Sequence, residues 1–237
     1  MYRHLLLLIA TLTIGILGSA PRATADTIAI IGTGDVGSAL GPRFAELGHD
    51  IVYGAREPNR ADVTALVDAT GRDARAALPA EAVANADIIV MAVPWDVVES
   101  LTRSLGDLSG RIIIDPTNPR RMTGDGLRDY ALDGSNAERI QALAPGAAVV
   151  KAFSTLGAET MADPSLAGGP VSVPIASDDA DARRVVAELV TGIGLEPVDV
   201  GPLRYAHVIE GLHYLRFNAG QFNGAAVNFY MPADPVP

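Results

Sequence analysis

An α/β fold with a doubly wound parallel sheet is predicted by three features of the sequence. Short continuous apolar runs of strand length alternate with stretches of helix length. The runs are rich in Ile and Val, as parallel strands covered on both faces require. The first of them leads directly into Gly32-Thr33-Gly34-Asp35-Val36-Gly37, a glycine turn that opens a helix.

The predicted elements follow in order. Residues 27–31 form the first strand, 36–47 a helix closed by Gly48, and 50–53 the second strand. A helix over 60–67, a strand over 86–93 and a helix over 97–105 continue the alternation. Strands over 111–115, 147–152, 171–176 and 196–199 extend the sheet, with a helix over 179–189 between the last two. Residues 118–136 are rich in Gly, Asp and Arg and read as a long loop over the sheet's edge. Residues 205–229 read as a terminal helix weakened by Gly211, Gly220 and Gly224. Residues 26–200 are thus expected to be one nucleotide-binding domain, and 201–237 a helical extension completing the acceptor site.

With 237 residues, 49% hydrophobic and 19% charged, the chain can bury one good core with a small annex. A net charge of -10 gives no attraction to nucleic acid or to an anionic membrane face. An anionic ligand must therefore be held by local features. The absence of cysteine excludes disulfides, thiolate nucleophiles, cysteine-ligated zinc and iron–sulfur clusters. Arginine supplies nearly all the positive charge, and Lys151 is the only lysine.

The glycine turn carries the first chemistry. Gly32 permits a tight turn, Gly34 lets a pyrophosphate approach the backbone, and Gly37 lets the helix pack close on the strand. The helix N-terminus then offers its N–H groups to the phosphates. The second strand ends Tyr53-Gly54-Ala55-Arg56 with no carboxylate to accept from ribose hydroxyls. Arg56 could grip a 2′-phosphate, which favours NADP(H) over NAD(H); the alternative is an arginine paired with Glu57 in solvent.

The order GTGDVG, GAREP, MAVPW, DPTNP, VVKAFSTLGAETMADP and DVGPLRYAHVIEGL resembles the coenzyme F-420-dependent NADP oxidoreductase family. The likeness covers residues 27–229. It implies a compact Rossmann enzyme that passes hydride between NADP(H) and a deazaflavin, and membrane-anchored metalloreductases carry a related domain. The family's glycine turn corresponds to Gly32–Gly37. Its Ser-Arg pair for the 2′-phosphate corresponds to Ala55-Arg56, so the arginine is kept and the serine hydroxyl is lost. The family's Pro-Trp corresponds to Pro94-Trp95 and implies a place beside the nicotinamide. Deazaflavin contacts are poorly marked by motif, so coenzyme F-420 and a flavin both stand as the hydride partner.

Other residues invite a role. Val93, Pro94 and Trp95 end a buried strand at the carboxyl edge, where ligands bind in such sheets; Trp95 could shield the nicotinamide or belong to the core rim. Thr117 and Asn118 could hydrogen-bond the carboxamide or ribose, or form an ordinary turn. Lys151 at a strand end points to the cleft or to a phosphate, or is rare by composition alone. Tyr205, His207 and Glu210 lie within one helical turn, as an acid–base cluster or as helix-surface chemistry. His207 and Glu210 lack a third ligand, so no metal site is expected.

Two further readings compete with hydride transfer to a flat ring. Imine, pyrroline or β-hydroxyacid reductases add a helical domain of about 100 residues, and the segment after Val200 is far shorter. A non-catalytic exported nucleotide-binding module is the other. The apolar segment from Phe222 to Tyr230 suggests packing on a second copy.

The first 25 residues do not read as part of the fold. A weakly basic start, an apolar run from Leu5 to Leu17, helix breakers and Ala23-Thr24-Ala25 match the order of a secretory signal peptide. An uncleaved anchor or a misassigned start, with a cytoplasmic protein, are the alternatives. Cleavage after Ala25 is expected to leave Asp26 as the first residue of an exported protein. Sequencing the mature N-terminus after cell fractionation checks it, and full-length protein in the cytosol would refute it.

Overall fold

Ile28, Ala29, Ile30 and Ile31 are all buried, because helices cover both faces of the strand they form. The computed structural model describes residues 25–225 and 227–232. The export segment expected over residues 1–25 therefore falls almost wholly outside the described residues, as do residues 233–237 of the C-terminal extension.

The first half runs β1 (Thr27–Ile31), α1 (Asp35–Glu46), β2 (Asp50–Gly54), α2 (Ala61–Thr70), β3 (Arg75–Ala77), α3 (Pro79–Val83), β4 (Ile88–Val90), α4 (Val98–Ser104) and β5 (Ile112–Asp115). It continues with β6 (Arg120–Met122), β7 (Arg128–Tyr130), α5 (Asn136–Leu143), β8 (Ala148–Lys151), α6 (Ala158–Ala162), β9 (Ser172–Ala176), α7 (Ala180–Gly192), β10 (Glu196–Gly201) and α8 (Ala206–Asn223). Eight strands form one sheet in the order β10-β9-β8-β5-β4-β1-β2-β3. Alternate residues of each strand feed two cores. Ile28 and Ile30 pack with Leu40 and Phe44, whereas Ala29 and Ile31 pack with Met91 and Ile140's cluster on the other face.

The doubly wound fold is as predicted, with one qualification to the parallel sheet. β9 meets β8 antiparallel, through the single pair Lys151 and Ala176, while β10 runs parallel to β9. The strand expected over 86–93 is regular only from Ile88 to Val90. Met91 N–H still donates to Ile114 (3.0 Å), but Ala92 N–H turns back to Val90 and takes the chain out of the ladder. β3, α3, α5 and α6 are too short to show a period in the sequence. α5 is nevertheless signposted by a capping box, in which Ser135 and Glu138 exchange hydrogen bonds.

The long loop expected over 118–136 contains an antiparallel hairpin, β6–β7. Its strands lack apolar alternation, which is why the pattern stayed hidden. α8 holds the hairpin: Asn218 accepts from Arg128 N–H (2.8 Å) and donates to Arg128 C=O (2.9 Å). The terminal helix stops at Asn223 rather than 229, because Gly224 takes a left-handed conformation (φ 66°). Beyond it, Phe229 C=O accepts from Ser172 N–H (2.9 Å) and ties the tail to β9. Val208, Leu215 and Phe222 are exposed along α8. Among the described residues no helix is long and apolar enough to cross a membrane.

Two glycines of the turn make opposite demands. A Cβ on Gly37 would collide with the Gly32 carbonyl and lie 3.2 Å from Ile30 Cγ2, so helix and strand can approach only with glycine there. A Cβ on Gly34 would meet nothing within 4 Å. Gly37→Ala should therefore lower unfolding stability by about 1–3 kcal/mol in urea, while Gly34→Ala should change it little.

Candidate functional site

β1 pairs with β2 on one side and β4 on the other, and the chain crosses from β3 back to β4. That reversal of strand order leaves a crevice at the carboxyl ends of β1, β2 and β4, where α/β sheets bind ligands. The cleft there has a volume of about 700 Å³ and is lined by Gly32, Thr33, Gly34, Arg56, Val93 and Pro94, among others.

The backbone builds the floor of this cleft. Gly32 has φ 108°, and a Cβ would strike the Ala92 carbonyl. Its N–H donates to Gly54 C=O (2.9 Å), locking the turn against β2. Gly34 caps α1 without any side-chain hydrogen bond, so the N–H groups of Asp35, Val36 and Gly37 at the first turn have no capping partner. The space over Gly34 and these donors together fit a pyrophosphate. Asp35 is exposed beside them.

Arg56 is exposed at the end of β2 and lines the cleft. Among the described residues it makes no ion pair within 4.0 Å, so the pairing with Glu57 does not occur. Sequence reasoning missed a second cation there. Arg60, at the start of α2, lines the same cleft but is already held by Asp62 through contacts of 2.5 and 2.8 Å. It also missed Val97, Ser100, Leu101 and Ser104, which give α4 one wall of the cleft.

Trp95 and Asn118 stand apart from the cleft lining, towards β5. Trp95 is half-buried and its carbonyl accepts from Asn136 Nδ2 (3.5 Å). Asn118 is buried; its Nδ2 donates to Ser154 C=O (2.9 Å), and its Oδ1 has no partner. Ser154 Oγ and Thr155 Oγ1 are likewise buried and unpartnered. Buried polar atoms without partners are uncommon, and these three follow β5 and β8 at the carboxyl edge. Phe153 brings the last two there by a left-handed backbone turn (φ 61°), held by its burial against Phe44. No spacing pattern in the sequence marks that turn.

Three expectations change. Thr117 is not available to a ligand: its hydroxyl donates to Asp115 Oδ1 (2.6 Å) and accepts from Asn136 Nδ2 (2.7 Å). Lys151 points neither to the cleft nor to a phosphate. It is fully buried, and its Nζ donates to Asp115 Oδ2 (3.0 Å), Glu210 Oε1 (2.8 Å) and the Thr117 carbonyl. Glu210 is therefore not helix-surface chemistry. Burial pushes the Glu210 carboxyl above its usual range against the pull of Lys151. Burial alone would lower Lys151, but Asp115 and Glu210 outweigh it and raise its pKa. His207 does not join this group. Its Nδ1 donates to Gly134 C=O (3.1 Å) and its ring stacks on Tyr130 at 4.4 Å. Among the described residues no three His, Asp or Glu side chains are grouped to hold a metal.

A glycine turn at the strand-order switch, with an uncapped helix N-terminus above it, defines a dinucleotide-binding protein of the Rossmann class. Residues 27–119 match the family model described as NADP oxidoreductase, coenzyme F420-dependent. The chain is 33% identical over 206 residues to the F420-dependent NADP reductase of Methanothermobacter thermautotrophicus, covering 81% of this chain and 88% of that protein. It is 31% identical over 201 residues to the metalloreductase STEAP3 of Rattus norvegicus, covering 84% of this chain but only 38% of that longer protein. A crystal structure of a candidate F420-dependent NADP-reductase from Arthrobacter sp. FB24 superposes with a TM-score of 0.80 at 29% identity, over 88% of this chain and 100% of that one. This chain belongs to the F420-dependent NADP reductase family.

Removing the one cation from the buried cluster should be costly, because two carboxylates would lose their partner. Lys151→Met is expected to destabilise the protein by about 3–5 kcal/mol, read by urea denaturation. A loss below about 1 kcal/mol would mean that the cluster is solvated.

Proposed function

We propose that this protein transfers hydride between NADP(H) and a flat ring acceptor, either the deazaflavin coenzyme F420 or a flavin. The observation that carries the reading is the open approach over Gly34 and the uncapped turn of α1, combined with the unpaired Arg56 at the end of β2. The names of the relatives support the acceptor class. NADP(H), when bound, supplies or takes the hydride.

The chain's own residues would position rather than ionise. Backbone N–H groups of Asp35, Val36 and Gly37 would hold the pyrophosphate, with Arg56 on the 2′-phosphate. Asn118 Oδ1 is a free acceptor for a carboxamide N–H, since its Nδ2 is committed to Ser154. Val93, Pro94 and Trp95 would exclude water beside the nicotinamide. Two rings held face to face need alignment more than acid–base help. The C-terminal segment with α8 would complete the acceptor side.

We place the protein outside the cytoplasm on the strength of its N-terminal segment. We also propose a second copy against α8, where Val208, Leu212, Leu215, Ala219 and Phe222 recur at alternating spacings of four and three residues, as a helix–helix seam does.

Arg56→Ala tests the cofactor reading. NADP(H) affinity should fall by roughly 10–150-fold, the equivalent of about 1.5–3 kcal/mol for one charge-assisted contact. NAD(H) affinity should barely change. Equal losses for both dinucleotides in titration calorimetry would put Arg56 outside the 2′-phosphate site.

A further inference from the structure

In a chain of net charge -10, Arg120 on β6 and Arg128 on β7 are diagonal neighbours on one face of the hairpin, and Arg128 packs on α8 at His213 and Phe217, which bracket Arg216 along the helix. Arg128 is the best held. Its Nη1 donates to His213 Nε2 (2.7 Å), and its guanidinium carbon lies 3.4 Å from the centre of the Phe217 ring. Its Nε is buried and has no partner, and the same holds for Arg216 Nε. Since a guanidinium only donates, His213 accepts there and is neutral. Burial, then Arg128, Arg120 and Arg216, with Lys151 behind them, push His213 down to about 3. Burial and the two neighbouring arginines likewise bring Arg128 down to about 10.

Among the described residues none of the three arginines forms an ion pair within 4.0 Å. The adjacent Arg121, by contrast, is paired with Asp129 at 2.7 Å. Glu159 flanks Gly157 beside Arg216 but stays outside ion-pair distance. Three like charges brought together repel, and the guanidinium fork is matched to phosphate and carboxylate oxygens.

Position narrows the anion. Arg120 follows Asn118 by two residues, and Arg216 borders Gly157 in the segment after Ser154 and Thr155. Tyr214 O–H donates to Pro119 C=O (2.7 Å) and fixes α8 over this edge. Arg56 ends β2, whereas the cluster stands over β5 and β8. β2 and β5 are three strand spacings apart, roughly 14 Å. The cluster and Arg56 therefore stand over different strands of the carboxyl edge.

We propose that Arg120, Arg128 and Arg216 form an anion subsite for a phosphate carried by the hydride acceptor, so that the preferred acceptor is a phosphorylated ring compound. This rests on the hydride-transfer reading above. FMN and riboflavin have the same ring and differ by one phosphate. Their affinities are to be measured by calorimetry on the whole protein saturated with NADP⁺. FMN should bind roughly 10–100-fold tighter than riboflavin at low salt. The double variant Arg120→Ala/Arg216→Ala leaves Arg128 packed on Phe217. It should reduce FMN to the riboflavin level without altering riboflavin or NADP⁺ affinity, and circular dichroism should show the native fold. If that variant does not fold, inorganic phosphate replaces it: phosphate should compete with FMN and leave riboflavin untouched.

FMN that fails to bind, that binds no tighter than riboflavin, or that keeps its advantage in the folded variant overturns the assignment. So does a loss of NADP⁺ affinity in that variant, which would give the cluster to the dinucleotide. Phosphate that binds while the two flavins bind equally would make it a site for free anions and also overturn it. Binding is read without turnover, so a protein that reduces neither the flavins nor coenzyme F420 would sink the hydride reading while tighter FMN binding still supports the subsite.

Discussion

Lys151 stands at the end of β8 with a carboxylate from the end of β5 on one side and a carboxylate from the first half of α8 on the other. A buried charge survives only when paired, and each partner here is buried too. The cluster therefore accepts only one arrangement of β5, β8 and α8. Glu210 also accepts from Asn136 N–H (3.1 Å), and Asn136 reaches Thr117, which bonds Asp115. The loops after β5 and β8 and the start of α5 are thus fixed by one polar network. Asn118, Ser154 and the hairpin all hang from it.

The two sides of the site are built by different physics. The dinucleotide side is backbone: a glycine in a conformation side chains rarely adopt, and helix donors left open. The side over β5 and β8 is side chains, gathered by the hairpin and α8, with aromatic contacts among Tyr130, His207 and Tyr214. A backbone site tolerates sequence change everywhere but at its glycines. A side-chain site can change its ligand with few substitutions.

That division also explains what was legible in the sequence. β1, the glycine turn, α1 and the strand ending at Arg56 are local in sequence, so period and motif expose them. Lys151 was visible as a rarity, but its partners lie 36 and 59 residues away, and no spacing rule connects them. Arg60 looked like any helix-opening residue until the cleft was seen. The hairpin lay hidden because its strands face α8 and solvent rather than a core. Phe153 gave no sign, since only its surroundings hold a phenylalanine in a left-handed turn.

The reversed direction of β9 has an effect on the far side of the molecule. β9 and β10 point opposite to the other strands, so β9 ends at Ala176 beside Lys151, the last residue of β8, and the chain then runs on towards the start of β8. Asp178, just past β9, accepts there from Leu203 N–H (3.0 Å), at the foot of α8. The helix is thereby launched from the bottom of the sheet and climbs its face, passing Lys151 at Glu210 before its last two turns overshoot the top. A fully parallel sheet would have released the chain at the top edge and sent this helix downward, away from the hairpin. Two inverted strands thus act as a change of gear, turning the end of the chain back towards the carboxyl edge over β5 and β8.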